Sequence, residues 1–209
     1  MSTRTVTWDE AVALFEQRGL SKEIWQNLYE GEYILYTGNA TVDGSFPLNQ
    51  GEEHPWGEDW DIGFIVDGDL TVSGGVYDFD DGAAALVVLG DLRAQGFYTT
   101  CDPKVIVTGN TSLDVVFGEY TDKYLVFRGD LRAAVQVWNG ECAPDEVGGT
   151  LAGSLVAPSY AELGAATVAD SGVPVSELLV PEVFDGDRID GEALLDRLVS
   201  GEPVLVAKA

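Results

Sequence analysis

Apolar and polar positions alternate in short runs along the middle of this chain, and the runs recur in step. Strand-like stretches (Tyr33-Ile34-Leu35-Tyr36, Phe64-Ile65-Val66, Leu86-Val87-Val88-Leu89, Val105-Ile106-Val107 and Tyr124-Leu125-Val126-Phe127) each end at or just before a glycine: Gly38, Gly68, Gly90, Gly109 and Gly129. With Gly149, these glycines are spaced 30, 22, 19, 20 and 20 residues apart. The residue that follows is Asn39, Asp69, Asp91, Asn110 or Asp130, and only Gly149-Thr150 departs. A shorter apolar run comes after most corners, as in Leu70-Thr71-Val72. A period near 20, in units too small to bury an apolar face alone, predicts a solenoid.

The kind of solenoid follows from what the repeat lacks. There is no Leu-x-x-Leu-x-Leu-x-x-Asn pattern and no 34-residue helical pair, which argues against leucine-rich and tetratricopeptide repeats. Short strands with regular turns also suit an antiparallel sandwich, but the phase of the corners favours a parallel β-helix of about six coils. In this reading glycine supplies positive φ at each corner, and Asp or Asn bonds its own local backbone.

The ends of the chain read differently. Thr7 and Glu10 have the spacing of a capping box ahead of Val12, Leu14 and Phe15, and a second short helix is expected from Ser21 to Tyr29. Asp190–Val199 has helical spacing and stops near Gly201. We therefore expect one domain, 1–209: an N-terminal helical cap at 1–32, the β-helix at 33–157, and a C-terminal capping segment at 158–209. Solenoids need their terminal coils covered, so capping is the expected role of both ends. A helix-turn-helix reading of the first pair conflicts with the charge.

That charge is −25, with 36 acidic residues against 11 lysines and arginines, which disfavours nucleic acid and anionic membrane as direct partners. Between Glu23 and Asp91 there are 15 acids and no Lys or Arg, and Ala133 to Asp187 also lacks a base. No apolar run approaches the ~20 residues of a membrane span, and the first residues do not resemble a signal peptide, so we expect a cytoplasmic protein. Cys101 and Cys142 lack metal-type spacing and fall two coils apart, which predicts two free, buried thiols.

Candidate chemistry is sparse. The single histidine, His54, has no nucleophile motif with it, neither an EF-hand loop nor a Gly-Gly-x-Gly-x-Asp repeat is present, and no cofactor is implied. Acids beside aromatics point to protein binding, where charge steers and aromatic rings anchor. Two clusters qualify: Glu52, Glu53, Trp56, Glu58, Asp59 and Trp60 in the longest loop, and Tyr77, Asp78, Phe79, Asp80 and Asp81 at a strand end. The alternative for Trp56 and Trp60 is packing of their loop back onto the solenoid.

The runs Phe64–Val72, Leu89–Ala94 and Phe127–Ala133 resemble the coils of bactofilin-type β-helix proteins, and more closely those of small acidic relatives that act as immunity proteins in bacterial polymorphic toxin systems. The resemblance spans residues 33–157 and implies a right-handed parallel β-helix with a binding role. Bactofilins polymerise through exposed end coils, and the helical segments here should block such stacking. The expectation is thus a non-enzymatic immunity protein that neutralises a basic cognate toxin by occluding its active site. A cytoskeletal scaffold, a glycan-active enzyme with paired carboxylates and a DNA-mimicking inhibitor are the alternatives.

Overall fold

A computed structural model describes residues 3–49, 54–56, 62–80, 82, 84–119 and 122–207. The chain is a parallel β-helix of about five turns, the number that six corners enclose. Its coils have three faces. On the first face β2 (Tyr33–Thr37), β5 (Gly63–Asp67), β8 (Ala85–Val88), β11 (Lys104–Val107) and β13 (Tyr124–Phe127) stack in parallel. The second face begins with β3 (Ala40–Val42), β6 (Leu70–Val72) and β9 (Leu92–Arg93), and the third with β4 (Phe46–Pro47), β7 (Gly75–Asp78) and β10 (Gly96–Thr99). From there β12 (Thr111–Gly118) and β14 (Leu131–Trp138) run across both faces. β15 (Glu146–Val156) touches all three, and β16 (Ala165–Asp170) forms the last rung.

Register aligns equivalent residues into columns. One inward column on the second face runs Ala40, Leu70, Leu92, Thr111, Leu131, Leu151, all buried to 2% exposure or less. Strands of the first face are buried on both sides, which explains their continuous apolar runs. Phe64, Val66, Leu86 and Val88 point into the lumen, while Ile65, Val87, Ile106 and Val126 point outward beneath the N-terminal segment.

The corners hold their residue types for a reason different from the expected one. Only Gly38 has positive φ, at 88°. The later corner glycines are needed because the coil beneath leaves no room. A Cβ on Gly68 would stand 2.6 Å from Asn39 Oδ1, one on Gly90 2.5 Å from Asp69 Oδ1, and one on Gly129 2.5 Å from the Gly109 carbonyl oxygen. The side chain after each glycine bonds the next coil, not its own. Asn39 Oδ1 accepts from Asp69 N–H (2.9 Å), Asp69 from Asp91 (2.8 Å), Asp91 from Asn110 (2.8 Å), Asn110 from Asp130 (3.0 Å) and Asp130 from Thr150 (2.7 Å). The ladder ends at Thr150, where the Gly-Asp/Asn pattern also ended.

Stacked carboxylates repel, and the column contains its own relief. Asn39 Nδ2 donates to Asp69 Oδ2, while Arg93 and Arg132 bond the outer oxygens of Asp91 and Asp130. The Thr150 N–H and then Arg132 lower the Asp130 pKa. Because the ladder needs an acceptor and not a charge, Asp91→Asn should leave the urea unfolding midpoint close to wild type. Asp91→Ala, which strands the Asn110 N–H, should lose about 1–2 kcal/mol.

The helices at the chain ends are short and lie along the flanks of the coil stack. α1 (Trp8–Gln17) has the expected capping box, with Glu10 N–H donating to Thr7 Oγ1 and Thr7 N–H to Glu10 Oε2. With α2 (Lys22–Trp25) it covers the outside of the first face through Phe15, Leu20, Ile24 and Leu28. β1 (Thr3–Val6) pairs antiparallel with the free edge of β2. α3 (Gly191–Ser200), capped by Asp190 and ended by Gly201 at φ 69°, covers the outside of the third face. There Leu194 and Leu198 pack with Tyr77, Tyr98, Val115 and Phe117, and a Cβ on Gly75 or Gly96 would collide with Leu198.

Candidate functional site

Five of the predicted binding residues lie in described parts of the structure: Trp56, Tyr77, Asp78, Phe79 and Asp80. Glu52, Glu53, Glu58, Asp59, Trp60 and Asp81 lie outside the described residues. Trp56 packs back onto the solenoid: its ring stacks on Tyr36 at 5.0 Å and meets Phe46 edge-on at 4.9 Å. His54 lies flat on Phe64, with centroids 4.0 Å apart and planes at 8°, and its Nδ1 accepts from the Trp56 N–H at 3.0 Å. Tyr36, Phe46 and Phe64 belong to the lumen core, so these two residues plug the N-terminal mouth of the helix. Burial pushes the His54 pKa down to about 3, which keeps the ring neutral.

Tyr77 and Asp78 are interior, which corrects their assignment to a binding surface. Alternation along β7 turns Val76 inward and Tyr77 outward, where the C-terminal segment leaves Tyr77 only 4% exposed. Asp78 turns back into the coil and is fully buried. Its Oδ1 accepts from Asn49 Nδ2 at 2.7 Å and its Oδ2 from Thr99 Oγ1 at 3.2 Å. Asn49 also donates to the Asp80 carbonyl and accepts from the Phe79 N–H. This second ladder fixes the turn at 78–80. Burial is the main reason that the Asp78 carboxyl is raised to about 7. Phe79, 40% exposed, and Asp80, also exposed, remain at the surface. Of the two thiols, Cys142 is buried and raised to about 12 by that burial, while Cys101 is only partly buried; neither forms a disulfide.

The acidic surface is assembled by the coil period. Connections from the third face to the first follow β7, β10, β12 and β14, so parallel stacking brings them to one edge, about 4.8 Å apart per coil. That edge collects Asp80, Asp102, Glu119, Asp122, Glu141 and Asp145 from four loops. Its bases are engaged: Lys104 lies over the Tyr29 ring at 5.3 Å, and Lys123 Nζ bonds Asp145 at 2.9 Å. Tyr29 donates to Asp102 Oδ2 at 3.1 Å, and burial followed by the Asp102 charge raises its pKa. Toward the C-terminal end an open cleft of about 430 Å³ is lined by Lys123, Glu141, Asp145, Tyr160 and Glu162. Apart from Asp80, these acids are scattered singly along the sequence and form no local cluster, although the same 20-residue period that located the corners also places the loops.

Among the described residues no group of three or more His, Cys, Asp or Glu side chains is arranged to hold a metal ion, and no helix is long and apolar enough to cross a membrane. The fold and this edge define a parallel β-helix protein with an acidic loop margin. No family model, no curated protein and no solved structure matches the chain.

Proposed function

We propose that this protein is a non-enzymatic binding protein, an immunity protein that neutralises a basic cognate toxin by covering its active site with the acidic loop edge. The observation that carries the reading is the convergence of six acids from four loops on one edge of the β-helix, with Phe79 exposed as an apolar contact and a cleft beside Tyr160. Such a field accelerates encounter with a positively charged cleft, and an aromatic ring supplies the anchor. Glycan hydrolysis would need two accessible carboxylates with separated roles, whereas the carboxyl held near 7, Asp78, is buried. A filament-forming scaffold needs two open ends, and His54 and Trp56 close one.

The test is co-expression with the product of the neighbouring gene, followed by size-exclusion chromatography and rescue of cells from that product's toxicity. Co-elution with rescue is the expected result. Exchanging Asp80, Asp122 and Glu141 together for lysine should slow association about tenfold at low salt and flatten its dependence on ionic strength. Thermal stability should change little, since all three are exposed. Association at the wild-type rate would remove the loop edge from the reading.

A further inference from the structure

The two mouths of the solenoid are finished differently. At the N-terminal end β1 covers the edge of β2, and His54 and Trp56 cover the lumen. At the C-terminal end β16 pairs with β15 alone, and Ala166 to Asp170 are all exposed. Val168 is in register with Leu151 and so continues the inward column of the second face. Its predecessors in that column are at most 2% exposed, yet Val168 is 45% exposed. Four of the seven exposed large hydrophobic side chains among the described residues, Val156, Tyr160, Val168 and Val173, lie in or beside this last coil. An unpaired strand edge with an uncovered core residue is a template for a further strand.

Charge indicates what covers it. From Val147 to Ala169 the only charged residue is Glu162, in a chain whose net charge is −25. A basic partner is drawn to the acidic margin and gains nothing electrostatically from this neutral end. A second copy is repelled by every acidic surface and meets least repulsion here. We propose that two copies of this chain join end to end through their C-terminal coils, with β16 pairing antiparallel to its symmetry mate. A two-fold axis normal to the second face at Val168 sets that residue opposite its own symmetry mate, keeps inward residues inward, stacks Val168 on the partner's lumen, and places the two Asp170 carboxylates at opposite ends of the joint. The contact is isologous and closes on itself. Because the other mouth is sealed, assembly stops at two copies.

Sedimentation velocity on the full chain at micromolar concentration tests this, with light scattering for mass. The expected species is a dimer of twice 22.4 kDa. Val168→Lys places a charge on an exposed position in each copy, so the fold should survive by circular dichroism while the dimer dissociates to monomer. Ala166→Pro should do the same: the Ser171 N–H bonds the Gly153 carbonyl, so alternation along β16 turns the Ala166 N–H to the open edge, and proline removes it. A wild-type monomer would overturn the proposal. So would a dimer that survives both substitutions in folded protein, or open-ended filaments.

Discussion

Replacing Gly90 by alanine is expected to destabilise the protein by about 3 kcal/mol, the upper part of the range for forcing an extra carbon into a packed site. The added Cβ would stand 2.5 Å from Asp69 Oδ1 and 2.6 Å from the Gly68 carbonyl, and one of those contacts is main chain that cannot swing aside. Relief requires the two coils to separate, which lengthens the Asp91 N–H bond to Asp69 Oδ1 (2.8 Å) and the Leu70 N–H bond to the Asp91 carbonyl (2.9 Å). Gly38→Ala is the informative comparison. Nothing lies within 4 Å of a Cβ there, and its difficulty is the left-handed φ of 88°, worth about 1–2 kcal/mol. Asparagine tolerates that backbone, so Gly38→Asn should recover most of the loss and Gly90→Asn none. Urea denaturation of the four variants separates the two causes. Equal behaviour at both corners would refute the close-approach account.

Asp78→Asn and His54→Phe should shift the pH dependence of stability in opposite directions. Burial raises the Asp78 carboxyl from 3.8 to about 7, so the folded state holds its proton more tightly than the unfolded chain. Stability from this group is then greatest below pH 4 and falls as pH rises toward 7. His54 is lowered from 6.5 to about 3; its contribution is full above 6.5 and falls as pH drops toward 3. Between pH 4 and 6.5 the two slopes oppose each other in the wild type. Asparagine at 78 can still accept from Asn49 and can donate to the Thr99 hydroxyl. At pH 8 it removes a buried charge worth up to about 4 kcal/mol at 1.36 kcal/mol per pKa unit. Relative to wild type, the Asp78 variant should gain stability above pH 7 and lose that gain on acidification. The His54 variant should compare best with wild type at pH 4. Thermal unfolding from pH 4 to 8 reads both differences, and parallel curves for all three proteins would contradict them.

The acceptor ladder explains why the sequence pattern was readable. Each corner needs a residue without a Cβ followed by a short side-chain acceptor, so Gly-Asp and Gly-Asn recur and mark the coil period whatever the loops do between them. The capping box at Thr7 and Glu10 and the helix ending at Gly201 are similarly local, set by groups within one turn of each other. Class of fold, corner positions and terminal helices were therefore legible from residues near in sequence. The reason for the corner glycines was not, because the atoms that exclude a Cβ from Gly90 belong to a coil 22 residues earlier.

The candidate surface divides along the same line. The sequence alone determined how much acid this protein carries and that the acid is unbalanced over long stretches, since composition does not depend on packing. Only the tertiary structure decided which side chains reach solvent. Tyr77 and Asp78 are adjacent in an acidic, aromatic run, but strand alternation sends one beneath α3 and the other into the coil. Trp56 became a plug because an open lumen offers more apolar contact than water does. Glu119, Asp122, Glu141 and Asp145 form one margin because parallel coils convert a separation of about 20 residues into about 5 Å. Val168, unexceptional as a letter, is the open end of a column that begins at Ala40.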